Sequence, residues 1–99
     1  MISHGVAHKI RDILEAEFKT ISLEVIDESE KHRHHKGAED SDKGNYKVFV
    51  TSALFKNKSL IERHRMIYRA LDKLSDRIHA LAITALAPEE DTNENHKLQ

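Results

Sequence analysis

The spacing of the apolar residues switches between the period of a helix and the period of a strand along this 99-residue chain. This switching constrains the fold more than any single residue does. Segment 3–18 has apolar residues three and four positions apart, which predicts an amphipathic helix from about Ser3 to Phe18. Segments 21–27 and 45–52 instead show an alternation with a period of two, which predicts two strands. The polar segment 29–45 between them predicts a long loop.

A second helix is predicted from Ser59 or Leu60 to about Ser75. Ser59 and Glu62 have the spacing of a capping box, in which each side chain accepts a hydrogen bond from the backbone amide of the other residue. The apolar residues of this helix share one arc: Leu60, Ile61, Ile67, Tyr68, Leu71 and Leu74. Residues 78–86 are nearly all apolar, which predicts a third strand that lies inside the sheet and is buried on both faces.

The order helix, strand, strand, helix, strand predicts an α+β fold with the helices packed on one face of a small three-stranded mixed sheet. The chain is long enough to form one hydrophobic core, so we predict a single domain over residues 1–87. Segment 88–99 is acidic and has no apolar residue between Pro88 and Leu98. We therefore predict a disordered C-terminal tail.

Composition excludes several functions. The chain has no cysteine, so it cannot supply a thiol nucleophile or a sulfur ligand. No apolar stretch approaches the roughly 18 residues of a membrane span, and residues 1–4 do not begin a secretory hydrophobic region. We therefore predict a cytoplasmic protein without membrane association. The common catalytic motifs are missing from the sequence, which favours a non-enzymatic role.

Histidines concentrate where predicted elements begin or end. His32, His34 and His35 lie in the predicted loop, and His79 begins the third strand. Imidazole is a common metal ligand, but a histidine-rich loop is more often solvated polar sequence, which we favour over an independent metal site. His64 falls at the centre of the apolar arc of the second helix, which predicts a buried histidine of the core.

Cationic residues form a second candidate site. Arg65, Arg69 and Lys73 recur every four residues opposite the apolar arc, and Lys56 and Lys58 lie in the preceding turn. Such a row can contact the phosphates of nucleic acid. A solvated helix face balanced by neighbouring acidic residues is the simpler interpretation, and both stay open.

Several motifs at compatible spacing resemble the BolA family: Leu23–Ser29, Lys47–Val48, Glu62–Tyr68 and His79–Ile83. The resemblance extends from about residue 6 to residue 88. It implies a fold related to the class II K-homology domain. It also implies a monothiol glutaredoxin as partner, a [2Fe-2S] cluster shared between the two proteins, and a role in iron–sulfur trafficking or iron sensing. Bacterial members are described as DNA-binding transcriptional regulators, so DNA binding is the alternative function.

The resemblance also implies the cluster ligands. In the family, one proposed ligand is a histidine at the start of the third strand, which corresponds to His79. The other lies in the loop after the first strand. Counting forward from that strand selects His32, whereas counting back from the second strand selects His34 or His35; we predict His32 and keep the other two as alternatives. The sulfur ligands would come from the glutaredoxin cysteine and from glutathione. The isolated chain is thus expected to hold no cluster, and to be a monomer or a weak homodimer.

Two positions depart from the pattern of the family. Asn45 stands where many members have a histidine, and Asn57 stands where many have a glycine. A K-homology clamp uses a Gly-x-x-Gly loop to approach single-stranded nucleic acid. Recognition of single-stranded RNA in that mode is therefore disfavoured, while contact with duplex DNA stays open.

Overall fold

The structure, a computed structural model, describes residues 5–29 and 43–91. Within these residues, two helices and three strands follow in the predicted order: α1 (Val6–Phe18), β1 (Ser22–Asp27), β2 (Gly44–Thr51), α2 (Leu60–Ala70) and β3 (Ile78–Leu86). Three short 3-10 segments accompany them: Ala53–Phe55, Asp72–Arg77 and Pro88–Glu90. The predicted α+β fold with a three-stranded mixed sheet is confirmed.

The sheet has the order β1-β2-β3, with β2 in the centre. β1 runs antiparallel to β2 and pairs Asp27 with Tyr46, whereas β3 runs parallel to β2 and pairs Gly44 with Ile78. The end of β1, the start of β2 and the start of β3 therefore lie at the same end of the sheet. The described residues that border segment 30–42 lie at this end as well.

β3 lies at an edge of the sheet, so the prediction of a central strand buried on both faces is wrong. One row of its side chains, which includes Leu81, Ile83 and Ala85, is partly or fully buried. The alternate side chains at 80, 82 and 84 are exposed. These are two alanines and a threonine, whose small side chains can face water at little cost. Apolar character alone did not distinguish this exposed row from a buried one.

The hydrophobic core lies between the two helices and one face of the sheet. Alternate residues of β2, including Val48 and Val50, join the buried residues of α1 and α2 in one cluster. Phe18 at the end of α1 packs against Phe55, with the ring centroids 5.1 Å apart. The buried Ser52 hydroxyl donates to the backbone carbonyl of Phe18 at 2.7 Å, which joins the end of α1 to the chain after β2.

α2 is shorter than predicted and has a different buried side. It ends at Ala70 rather than near Ser75, and a 3-10 segment follows. Its buried residues are Arg63 and Ile67, while His64 is only half-buried. The prediction of a core histidine is therefore wrong. The helix is rotated toward Arg63 because that guanidinium donates to the carbonyls of Lys58 and Ala85 and to the Glu90 carboxylate.

Residues 88–91 belong to the fold, although the sequence analysis placed them in the tail. Glu90 accepts a hydrogen bond from the amide of Ala87 at 2.8 Å and forms an ion pair with Arg63 at 2.7 Å. The Thr51 hydroxyl donates to Asp91 Oδ2 at 2.7 Å. These contacts offset the ordering entropy that argued for a tail. Residues 92–99, the remainder of the predicted tail, lie outside the described residues.

In the part of the chain that the structure describes, neither helix combines the length and the apolar character that crossing a membrane requires.

Candidate functional site

His79 occupies an irregularity in the pairing of β3 with β2. Gly44 pairs with Ile78 and Asn45 with Ala80, so His79 is the additional residue between the two pairs. Such bulges redirect a side chain and are frequent next to functional sites. The side chain is exposed. The structure thus presents an accessible imidazole at the end of the sheet where β1 ends and β2 begins.

Hydrogen bonds fasten the end of β1 to the start of β2 beside this histidine. The amide of Glu28 donates to the carbonyl of Asn45 at 2.7 Å. The amide of Asn45 donates to the Ser29 hydroxyl at 3.1 Å, and the amide of Ser29 donates to Asp27 Oδ1 at 2.9 Å. Because Asn45 also pairs with Ala80 of β3, Ser29 is joined through Asn45 to the residue after His79. Ser29 and Asn45 are therefore fixed at the same end of the sheet as His79.

Gly44 allows this junction to pack closely. A Cβ atom at Gly44 would lie 2.5 Å from Tyr46 Oη and 2.6 Å from Ser29 Oγ, which is closer than real Cβ atoms approach. Tyr46 is buried, and this burial, together with the charge of Asp27, raises the pKa of its hydroxyl, while a hydrogen bond with Ser29 opposes the shift. The sequence analysis did not identify this cluster. A glycine at the first position of a strand was the available signal.

A groove of about 210 Å³ adjoins His79. It is lined by Tyr68, Leu71, Ser75, Ile78, His79, Ala80 and Leu81. Leu71 is buried whereas Tyr68 and Ser75 are exposed, so the groove combines an apolar surface with polar edges. Its volume is below the roughly 300 Å³ at which pockets for drug-sized ligands begin. It is large enough for a single side chain of a partner and smaller than a pocket for a drug-sized ligand.

His79 does not belong to a complete metal site within the described residues. Over residues 5–29 and 43–91, no group of three or more histidine, aspartate and glutamate side chains is arranged to hold a metal ion. The other predicted ligand, His32, and its alternatives His34 and His35 lie outside these ranges. Within the described residues, His79 is therefore an accessible imidazole outside any such group.

The five cationic residues of the second candidate site, Lys56, Lys58, Arg65, Arg69 and Lys73, are all exposed. Arg65 and Arg69 lie one turn apart on α2, but Lys73 lies beyond its end, in the 3-10 segment. The predicted row along a single helix therefore stops after Arg69. Asn57 adopts a left-handed backbone with φ 65°, which asparagine tolerates better than most residues. The turn before α2 thus keeps a conformation that glycine also favours.

Arg63 is the buried polar residue that the sequence analysis did not distinguish from its exposed neighbour Arg65. Its guanidinium donates to the carbonyls of Lys58 and Ala85, each at 2.9 Å. It also donates twice to the Glu90 carboxylate, at 2.7 and 3.1 Å. This pairing, with the hydrogen bond from the amide of Ala87, lowers the pKa of Glu90 to about 2. The role of Arg63 is structural: it binds the C-terminal turn to α2 and β3.

These features describe a cysteine-free α+β domain with an exposed histidine at the start of a parallel edge strand. Residues 14–90 match the protein family described as BolA-like protein. The chain therefore belongs to the BolA-like family.

Curated relatives support this assignment. The chain is 38% identical over 79 residues to the DNA-binding transcriptional regulator BolA of Escherichia coli, a match that covers 79% of this chain and 71% of that protein. It is 39% identical over 87 residues to SufE-like protein 1, chloroplastic/mitochondrial, of Arabidopsis thaliana. That match covers 83% of this chain but only 24% of the relative, so the chain spans about a quarter of that longer protein.

Solved structures show the same fold. The chain superimposes on BolA1 from Arabidopsis thaliana with a TM-score of 0.78 and 28% identity, covering 92% of this chain and all 100% of that one. The BolA domain of SufE1 from Arabidopsis thaliana gives a TM-score of 0.75 and 37% identity, covering 90% of this chain and 100% of that chain. The mixed sheet and its covering helices are therefore shared with BolA domains.

Proposed function

We propose that this protein is a non-enzymatic adaptor that binds a monothiol glutaredoxin and provides His79 to a [2Fe-2S] cluster shared with glutaredoxin and glutathione. It acts in iron–sulfur trafficking or iron sensing, with the cytoplasm as its proposed location. The observation that supports this proposal best is the exposed imidazole of His79, placed on a bulge at the sheet end where β1 ends and β2 begins. His32 is the proposed second ligand, with His34 and His35 as alternatives.

The surroundings of His79 suit a shared ligand. An exposed side chain can approach a group held by another protein, and the adjoining groove can receive a side chain of that partner. The hydrogen bonds of Ser29 and Asn45 join the end of β1 to the start of β2, and Asn45 pairs with Ala80, the residue after His79. A [2Fe-2S] cluster with two imidazole ligands in place of thiolates has a raised reduction potential. The chain has no cysteine, so its contribution to such a cluster is limited to nitrogen ligands.

The test mixes this protein with cluster-loaded monothiol glutaredoxin and glutathione and records the circular dichroism of the cluster in the visible range. We expect the spectrum to differ from the sum of its parts, and we expect His79→Ala to weaken the difference. His8→Ala, which removes another exposed histidine on α1, is the matched control and should leave the difference intact. Alanine variants of His32, His34 and His35, made singly, identify the second ligand. A spectrum of the mixture equal to the sum of its parts would contradict the proposal.

DNA binding is the second candidate function, because a relative at 38% identity is named a DNA-binding transcriptional regulator. The exposed cations at 56, 58, 65, 69 and 73 could provide contacts to phosphate. The test is a titration with duplex DNA at two salt concentrations. The triple variant with Arg65, Arg69 and Lys73 changed to Glu should abolish binding. The control changes Lys9, Arg11 and Lys19 to Glu and should leave the affinity for DNA unchanged. Unchanged affinity in the first variant would remove these residues from consideration.

A further inference from the structure

One side of α2 exposes apolar side chains that the fold leaves uncovered. Leu60 is 67% exposed, Ile61 59% and Tyr68 52%. Leu60, His64 and Tyr68 follow one another at intervals of four residues and so form one row along the helix. We call Leu60, Ile61, His64 and Tyr68 the α2 face. Single exposed apolar residues are ordinary, but a contiguous group on one helix marks an interaction site.

A row of cations borders the α2 face on one side. Ile61, Arg65 and Arg69 are also spaced by four residues, which places both arginines alongside the apolar row, whereas the sequence analysis placed them on the opposite side of the helix. Both arginines are exposed. On the other side, Tyr68 reaches toward β3, where its hydroxyl lies 3.4 Å from the carbonyl of Leu81 and lines the groove beside His79. The surface is therefore apolar in the middle, with two arginines along one border, where the only nearby carboxylate of α2 is the exposed Glu62.

We propose that the α2 face binds an acidic amphipathic helix of a partner protein. Apolar residues of the partner, spaced by three or four positions, would cover Leu60, Ile61 and Tyr68, as ridges of one helix pack into the grooves of another. Carboxylates on one flank of the partner would lie against Arg65 and Arg69. Because the charge is confined to one border, the partner's acidic residues belong on one flank only. This binding does not involve the cluster, so it can be refuted while the proposed function stands.

Two other occupants fit this surface less well. A DNA backbone would pair with Arg65 and Arg69, but it would gain nothing from burying Leu60 and Ile61. A second copy of this chain would match the apolar row, but it would bring its own two arginines into the same interface. The nearby carboxylate, Glu62, already accepts the capping-box hydrogen bond from the Ser59 amide, so that arrangement would place four arginines together with few partners. The combination of an apolar row and a cationic border favours an acidic helix.

The experiment selects binders to the whole protein from a library of displayed helical peptides, each about 16 residues long so that a helix forms in isolation. Their exposed positions are varied among Glu, Lys, Leu and Ser. We expect the enriched peptides to carry Leu at helical spacing with Glu along one flank. Fluorescence anisotropy then measures the affinity of the enriched peptides for variants. Leu60→Gln with Ile61→Gln, and Arg65→Gln with Arg69→Gln, should each weaken binding about tenfold or more.

Matched controls lie elsewhere on the molecule. Ile21→Gln removes another exposed isoleucine, 63% accessible, and Arg11→Gln removes an exposed arginine of α1. Neither should change the affinity of the peptides. Circular dichroism of every variant checks that the fold is retained, which is expected because only exposed side chains are changed.

Several results would overturn the inference. These are an absence of enriched sequences, an excess of Lys over Glu among them, or undiminished binding to the Leu60→Gln, Ile61→Gln variant. If the Leu60→Gln, Ile61→Gln variant lost as much affinity for duplex DNA as for the peptides, the α2 face would be assigned to DNA binding instead. Sedimentation equilibrium showing a dimer that the same variant abolishes would assign it to a second copy.

Discussion

Replacement of Arg63 by Met tests how the C-terminal turn is held. Met preserves much of the buried stem but removes the donors to Lys58, Ala85 and Glu90. The carbonyl of Ala85 belongs to a residue that is only 3% exposed, so water cannot readily replace the lost donor. An unsatisfied buried acceptor costs about 1–3 kcal/mol, and loss of one partner from a buried pair about 3–5 kcal/mol. The Glu90 side chain is 44% exposed and can be hydrated after the loss of Arg63. We therefore expect Arg63→Met to lower the free energy of unfolding by about 3 kcal/mol, the lower end of the range for a broken buried pair.

The assay is reversible unfolding by urea and by heat. For a domain of this size, 3 kcal/mol corresponds to a decrease in Tm of about 15 °C. Arg65→Met is the matched control, because Arg65 is exposed on the same helix and its replacement should change stability little. If Arg63→Met and Arg65→Met had the same stability, the hydrogen bonds of Arg63 would not stabilise the fold and the reasoning would be refuted.

The same contact predicts a response to acid. The pKa of Glu90 is lowered from its ordinary value of 4.5 to about 2, first by the hydrogen bonds from Arg63. A lowered pKa stabilises the folded state above the unfolded pKa, and this contribution is lost as the pH falls through the folded value. We therefore expect the wild type to lose stability between pH 4.5 and about 2, and Arg63→Met to lose less over that interval. Parallel stability curves for the two proteins would contradict this coupling.

Two further substitutions test local packing and capping. Gly44→Ala should lower the free energy of unfolding in urea by about 1–3 kcal/mol, because the new methyl group would overlap Tyr46 and Ser29. Adding Tyr46→Phe should reduce this loss, since it removes the hydroxyl nearest to the new methyl group. If Gly44→Ala had the same effect with and without Tyr46→Phe, the overlap would be refuted. Ser59→Ala should lower the free energy of unfolding by about 1 kcal/mol, because it removes the hydroxyl that accepts from the Glu62 amide at 3.1 Å. If replacing an exposed serine away from any helix end lowered the stability as much, the capping role of Ser59 would be refuted.

The local elements were predictable because short-range rules decide them. The alternation of apolar and polar residues placed β1 and β2 within one residue of their observed ends, since each strand buries one face. The spacing of Ser59 and Glu62 predicted the start of α2, and both hydrogen bonds of the capping box are present. The edge position of β3 was not predictable in this way, because strand order depends on pairing between distant segments.

The candidate site was also predictable only in part. His79 was selected through the family resemblance, and its exposure agrees with the role of a ligand, which stays a prediction. Its position on a bulge could not be predicted, because that depends on how β3 aligns with Gly44 and Asn45. Arg63 was missed because hydrophobic periodicity treats every arginine as a surface residue. Only the fold brings the carbonyls of Lys58 and Ala85 and the Glu90 carboxylate next to its guanidinium.

Arg63 also explains why Ile61 of the α2 face is exposed. Residues two positions away lie about 160° around a helix, so a buried Arg63 turns Ile61 and Arg65 outward. Rotating α2 to bury Ile61 would gain about 2 kcal/mol, since that side chain is already partly covered. The rotation would break the hydrogen bonds of Arg63, at a comparable cost, and would also withdraw the fully buried Ile67 from the core. The observed orientation is therefore the more stable one for the isolated domain. Burial of Ile61 is left to a partner, which would gain that free energy on binding without disturbing the contacts of Arg63.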